Sequence, residues 1–173
     1  MNPGGAELVV HFPAPTATLG LATAVRSTLI ASSLQSLRRR DLYERYQAVL
    51  APEHREAVLS SVAGLWLPME VGRAHYDACD RLNLSVLEQV EIGGDVSIKI
   101  HDTFLGVVIR TAKHAGVTPW VLLARGNQMY SRLFHGGGGI RVIRRAAKEA
   151  RADVAGVPLL GIPYFRNAIR GLY

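Results

Sequence analysis

The chain has 173 residues, 49% of them hydrophobic and 20% charged, with a formal net charge of +6. That length suits one domain with a sizeable core and no need for staples, and the apolar share excludes a disordered polypeptide. The single cysteine, Cys79, excludes an internal disulfide, so nothing draws the chain toward an oxidising compartment.

Every cation except Lys99, Lys113 and Lys148 is arginine. The positive balance suits acidic partners without identifying one. Met1-Asn-Pro-Gly-Gly-Ala-Glu lacks the basic region and apolar run of a secretory signal. No stretch approaches the roughly 20 apolar residues that span a bilayer. A cytoplasmic protein is expected, with residues 1–173 as a single domain.

Glu7 to Phe12 reads as a short β-like run stopped by Pro13 and Pro15, so residues 1–15 are expected to form an N-terminal strand or arm. Thr16 to Ala24 is small and threonine-rich, a loop or an edge strand. From Ser27 to Arg40 the spacing predicts a helix, with Ile30, Leu34 and Leu37 on one face and Arg38, Arg39 and Arg40 in the last turn, where cations favour the dipole. Asp41 looks like the N-cap of a second short helix carrying Leu42, Tyr46 and Val49. Pro52 suits the first turn of a third, reaching roughly to Ala63.

After Trp66-Leu-Pro a helix is predicted to run to Leu82, with Val71, His75, Ala78, Cys79 and Leu82 along one side and Asn83 ending it. Ser85-Val-Leu-Glu88 matches the capping box, in which a hydroxyl and a carboxylate reciprocally satisfy free amides. Gly93-Gly94 either breaks the helix that follows or marks close approach of another element. The 3.6 period resumes from Asp95 to His114 through Ile98, Leu105, Val108 and Ala112, with His101 on the same face. Thr118-Pro119 signals another start, opening a helix with Trp120, Leu123, Tyr130 and Phe134 at helical spacing. Residues 140–154 stay open. Ile140, Ile143, Ala147, Ala150 and Val154 recur as on a helix, yet Ile-Arg-Val-Ile after glycines and the close at Val154-Ala-Gly suit a strand. Pro163 to Tyr173 is amphipathic, with Phe165, Ala168, Ile169 and Leu172 together. The expected class is α+β and predominantly helical, a multi-helix domain with a small antiparallel sheet; the alternative is all-α.

The glycine run of Arg132-Leu-Phe-His-Gly-Gly-Gly-Gly-Ile raises a phosphate site as a candidate. A P-loop needs a lysine and a hydroxyl after its glycines, whereas Ile140 and Arg141 follow here. A left-handed glycine closing the preceding helix explains the first position without a ligand. His75 and Cys79 stand four apart and share a helix face, but two ligands do not close a zinc site, so no metal is expected. Acyl transfer has no Gly-x-Ser-x-Gly elbow to support it. Asp77 and Asp80 beside Cys79 would raise its pKa, and neither these nor Glu88 and Glu91 form a pair suited to acid–base work. No catalytic residue and no cofactor are expected.

Aromatic and small apolar anchors near helix ends, namely Trp66, His75, Cys79, Trp120, Tyr130 and Phe134, are the candidates for ligand or partner contact. Two basic clusters, Arg38-Arg39-Arg40 and Arg141, Arg144, Arg145 with Lys148 and Arg151, are candidates for anion or nucleic-acid contact. The second makes one cationic stripe if residues 141–151 are helical.

Asp41-Leu-Tyr-Glu-Arg-Tyr, Trp66-Leu-Pro-Met, Tyr76-Asp-Ala-Cys-Asp-Arg-Leu82, Thr118-Pro-Trp, Gly156-Val-Pro-Leu and Pro163-Tyr-Phe-Arg-Asn-Ala-Ile-Arg-Gly171 together resemble a paralogous family of uncharacterised myxobacterial proteins. This match of spaced anchors covers most of the chain after residue 40 and carries no catalytic signature. More distantly, the layout is similar to the TRAPP-like group of α/β binding domains, with its vinyl-reductase-type and haem-nitric-oxide sensors. There several helices precede a small antiparallel sheet and pairing through helices is common. That similarity implies a strand over 140–154, a helix over 163–172 and a further strand after it. The sequence ends at Tyr173, which leaves a smaller sheet, a partner's strand or a longer chain as alternatives. The haem branch carries Tyr-x-Ser-x-Arg; Tyr130-Ser131-Arg132 are contiguous here, so the resemblance implies no haem.

The function expected is a non-enzymatic cytoplasmic regulatory or assembly domain that binds a partner protein or a small apolar ligand, as a homodimer. The alternative is a nucleic-acid-associated module using Arg38–Arg40 and residues 141–151.

Overall fold

The computed structural model describes residues 7–10, 16–100, 120 and 123–172. Along the chain these form β1 (Glu7–Val10), β2 (Ala24–Arg26), α1 (Ser27–Arg39), α2 (Tyr43–Val49), α3 (Arg55–Leu59), β3 (Trp66–Pro68), α4 (Met69–Asp80), α5 (Val86–Ile100), α6 (Gly126–Leu133), β4 (Phe134–His135), β5 (Gly139–Ala146), β6 (Glu149–Ala155) and α7 (Pro163–Leu172). The class is α+β and predominantly helical, with small antiparallel sheets. No helix among the described residues is long and apolar enough to cross a membrane. The predicted features at His101, Leu105, Val108, Ala112, His114 and Thr118-Pro119 lie outside the described residues.

The described residues fall into two units. The larger, within Ala24–Val107 and Pro158–Tyr173, holds α1 to α5, α7 and the antiparallel pair β2–β3. Its core follows the predicted stripes: Ile30, Leu34 and Leu37 on α1 and Val71, His75, Ala78 and Cys79 on α4, with Leu82 just beyond, are all buried. Helix α5 runs unbroken through Gly93-Gly94, so close approach is the alternative that holds. A methyl built on Gly93 would overlap the Ala168 carbonyl of α7, and one on Gly171 would overlap the Val90 carbonyl of α5. Glycine on both sides lets the two backbones meet. Crossing bonds from Ser97 Oγ to the Leu172 carbonyl (3.0 Å) and from Asn167 Nδ2 to Gln89 Oε1 (2.8 Å) fix the pair.

Helix ends separate local signals from wider context. The capping box forms as predicted: the Ser85 amide donates to Glu88 Oε2 at 2.8 Å and the Glu88 amide to Ser85 Oγ at 3.3 Å. Asp41 behaves differently from its predicted N-cap role. It sits at φ 56° after α1, its amide bonding the Arg38 carbonyl at 3.2 Å while the Leu42 amide bonds that of Leu37 at 2.9 Å. That is a left-handed closure of α1, and α2 begins from Leu42 without a side-chain cap. The third helix is a 3-10 turn, Pro52–His54, continued by α3, and it stops at Leu59 instead of near Ala63. Ser60 and Ser61 turn their hydroxyls onto the Glu56 and Val58 carbonyls (2.7 and 2.8 Å), competing with further helix. Across the unit, Asp80 Oδ1 accepts the Tyr164 amide at 2.8 Å and so caps the start of α7.

The second unit, within Met1–Thr23 and Val108–Val157, holds α6 and the three-stranded antiparallel sheet β1–β5–β6. Residues 140–154 are therefore strand, the alternative implied by the resemblance, and they are two strands joined by Ala147-Lys148. Alternation explains why. Ile140 and Val142 are buried, whereas Ala147 and Ala150, which a helical stripe would bury, are exposed. A partner strand in β1, pairing Leu8 with Ile143, outweighs the helix propensity of alanine, lysine and glutamate. The cationic helix stripe expected over 141–151 is accordingly replaced by a hairpin. Phe134, expected to continue the helix from Trp120, instead opens β4 in extended conformation.

Candidate functional site

Three places test the candidates. The first is the pair His75–Cys79 on α4. His75 Nδ1 lies 2.7 Å from Tyr46 Oη of α2, its Nε2 lies 3.0 Å from Ser33 Oγ of α1, and Cys79 Sγ stands 3.7 Å from the same Nε2. Either neutral tautomer satisfies both ring nitrogens, because the hydroxyls donate or accept as needed. Tyr76 packs edge-on to the imidazole with ring centroids 4.8 Å apart, and Tyr46 does so at 5.3 Å. Burial lowers the His75 pKa to about 3. It also raises the Cys79 thiol, with Asp80 adding to the effect and weak bonds to Tyr164 and Ser33 opposing it. The Tyr164 hydroxyl, fully buried, makes no hydrogen bond of ordinary geometry among the described residues; its electrostatic neighbours are that thiol and Ser33. Near neutral pH this centre holds a neutral imidazole and a protonated thiol, sealed from water. Among the described residues no group of three or more His, Cys, Asp or Glu side chains is placed to hold a metal ion.

The second place is the glycine corner. Gly136 and Gly138 have φ of 92° and 75°, which a side chain tolerates poorly. Residues 20–23 thread beside them: the Gly138 amide donates to the Gly20 carbonyl at 2.9 Å, the Ala22 amide to that of Gly156 at 2.7 Å, and the Thr23 amide to that of His135 at 2.8 Å. Tyr130 donates its hydroxyl to the Gly137 carbonyl at 2.9 Å. The run is a crossing point where three segments meet backbone to backbone. The left-handed glycine comes after β4 instead of directly closing α6, whose last residue is followed by extended Phe134.

The third place is the pair of arginine clusters. Arg38 stacks on Tyr43, its guanidinium carbon 4.2 Å from the ring centroid and Nη2 2.9 Å from the hydroxyl. Arg39 and Arg40 both reach Asp95 of α5, at 3.4 and 3.2 Å, and Arg40 also meets Glu91 at 2.9 Å. Burial works against the Asp95 charge, but Ser36, donating at 2.6 Å, and Arg40 outweigh it and hold its pKa below the ordinary carboxylate range. In the hairpin, Arg141 and Arg151 share Asp153 at 2.9 and 2.6 Å and lower its pKa through those bonds. Arg144 lies over Trp120, 4.6 Å from the ring centroid. Arg145, Lys148 and Arg151 are exposed.

The chain matches no protein-family model, no curated protein and no solved structure. Its chemistry is therefore read from the residues themselves. Of the aromatic and apolar anchors, His75, Cys79, Tyr130 and Phe134 are buried in their units, Trp120 is half-buried, and Trp66 is exposed. Trp66 lies under the Arg26 guanidinium at 4.7 Å, and Val62 and Leu65, shortly before it in the sequence, are exposed.

Ser33, Ser36 and Tyr164 are buried polar groups that the sequence did not single out, and Tyr46, expected only as part of an apolar stripe, is a hydrogen-bond partner of His75. A faint signal existed, since the buried face of α1 carries Ser27, Ser33 and Ser36 among its leucines. Each meets a partner far along the sequence, which the spacing by itself does not name.

Proposed function

We propose that the chain is a non-enzymatic, cytoplasmic regulatory or assembly domain that works by contact with a partner protein, a second copy of itself being the first to test. The observation that carries this reading is the exposure of three apolar side chains close together in sequence, Val62, Leu65 and Trp66, 63%, 51% and 40% exposed, just before and at the start of β3. Large apolar side chains left in water are the raw material of contact surfaces, and a tryptophan stacked with an arginine, as Trp66 is with Arg26, is the composition that anchors them. The sealed state of His75 and Cys79 supports the absence of acid–base or thiolate chemistry there. A small apolar ligand is the second form of the same reading, and the resemblance to the TRAPP-like group, where helix-mediated pairing is common, is in line with both.

Size-exclusion chromatography with light scattering tests it, with native mass spectrometry for co-purified molecules. A homodimer is expected for the full chain and a monomer for the Leu65→Ser/Trp66→Ser double variant. A wild-type chain that is monomeric at every concentration and carries nothing with it would overturn the proposal.

A further inference from the structure

We infer that the outer edge of β6 is a second self-contact, adding antiparallel to β6 of another copy about a two-fold centred on Ala150. The two sheets then continue into one. This goes beyond the contact at Trp66 and lies in the other unit. Strand β6 pairs on its β5 side and ends the order β1–β5–β6. From Glu149 to Ala152 every residue is exposed, and no hydrogen bond reaches the outer backbone groups of this stretch among the described residues. An open row of amides and carbonyls is a template for another strand. Proline, lysine or a bulge guards many such edges. Here the irregular step in register falls on β5, between Arg144 and Ala146, and β6 has neither proline nor lysine. It carries charges of alternating sign instead, Glu149, Arg151 and Asp153, on one face because successive side chains alternate.

That pattern selects both the occupant and its register. Side chains directly opposite in an antiparallel pair share a face, where unlike charges attract and like charges repel. A two-fold centred on Arg151 sets that arginine against its own copy and Glu149 against Asp153. Centring on Glu149 sets two carboxylates together. Centring on Ala150 opposes Glu149 to Arg151 of the second copy, twice over, with alanine against alanine between the pairs. Centring on Ala152 would oppose Arg151 to Asp153, but it draws in residues 153 to 155, which are only half-exposed. Beyond them the Gly156 carbonyl already takes the Ala22 amide at 2.7 Å. The Ala150 register therefore rests on the exposed stretch. Arg151 bonds Asp153 through Nε at 2.6 Å, which leaves its Nη groups for Glu149 of the second copy. Glu149 itself forms no ion pair among the described residues. A foreign strand would have to reproduce this spacing of signs, whereas a two-fold contact presents it from both sides. So short an edge with exposed ion pairs holds weakly, with a dissociation constant on the order of 1 mM. At micromolar concentration the contact at Trp66 alone sets the mass, and at high concentration the β6 edges join molecules further.

Small-angle X-ray scattering from about 10 μM to about 1 mM tests this on the full chain and on its Leu65→Ser/Trp66→Ser variant. In that variant, monomeric at the low end, the weight-average mass is expected to rise at least about 1.5-fold. Adding either Glu149→Arg or Arg151→Glu should abolish the rise, since each makes the edge like-charged. An equimolar mixture of those two should regain it, because 149 and 151 then oppose unlike charges again. Both positions are exposed and Asp153 keeps Arg141 at 2.9 Å, so circular dichroism should report an unchanged fold. A constant mass up to the highest concentration overturns the proposal. So does a rise that either charge change leaves intact, or a mixture that stays at the mass of its components. Because the rise is read without Trp66, its failure and the failure of the contact at Trp66 are distinguishable.

Discussion

Two arginine clusters of similar composition end in opposite electrostatic situations. Arg38, Arg39 and Arg40 close α1 beside Tyr43, Glu91 and Asp95, and their charge is met within the chain. Arg145 and Lys148 stand exposed at a hairpin end with no ion pair among the described residues, whereas Arg151 beside them shares Asp153 with Arg141. The lesson is that a run of cations acquires a role from what its element packs against. A helix end laid along an acidic helix becomes structure, whereas a two-stranded end in solvent stays available to a partner.

Stability measurements sharpen that contrast, because substitutions in the helical unit should cost far more than any in the hairpin. His75→Ala is expected to cost most, about 4 kcal/mol, since it opens a cavity and strands the Tyr46 and Ser33 hydroxyls; urea unfolding followed by helical circular dichroism gives the value. Gly93→Ala comes next, at about 3 kcal/mol, because its methyl meets the Ala168 carbonyl and α7 must move away.

Acid should weaken the same centre. The folded pKa of His75, about 3, lies below the roughly 6.5 of an unfolded histidine, so between those values the unfolded chain binds one more proton. This contribution to stability is fully present above pH 6.5 and falls as the pH drops, with a limiting slope of about 1.4 kcal/mol per pH unit. Ser33, Tyr46, Tyr76, Cys79 and Tyr164 around it remain uncharged through that window. His75→Gln, which cannot be protonated, should flatten the profile between pH 6.5 and 4.5, and an unchanged slope in that variant would assign the acid sensitivity elsewhere.

Smaller effects complete the comparison. Asp95→Asn is expected to cost about 1 kcal/mol, as a half-exposed carboxylate that meets Ser36 and two arginines. Arg145→Ala/Lys148→Ala should change stability by less than about 0.5 kcal/mol. A loss above 1 kcal/mol there would mean that the hairpin charges hold the fold together, and the contrast between the clusters would collapse.

Signals completed within a turn or two of chain were legible without coordinates. The Ser85–Glu88 capping box, the apolar face of α1, the shared face of His75 and Cys79 and the helix at Pro163 all belong to that kind. Readings failed where another set of bonds, near or distant, competed with a residue's own preference. Asp41 carries the chemistry of an N-cap, yet the closing bonds of α1 take it into a left-handed conformation. Residues 140–154 carry helix-forming alanines, yet β1 offers a strand partner. Gly93-Gly94 gave two readings until Ala168 on α7 decided between them.

Periodicity, caps and composition by themselves determined that helices predominate and which faces of α1 and α4 turn inward, because a helix repeats every few residues and solvent sorts its two sides. They left all-α open beside α+β, and the β1–β5–β6 sheet decided for α+β. Only the tertiary structure decided that Arg39 and Arg40 meet Asp95 while Arg145 and Lys148 stay exposed, and that His75 is locked among Ser33, Tyr46 and Cys79. Those outcomes depend on which groups arrive from tens of residues away, and charge and burial respond to distance in space, not to order along the chain.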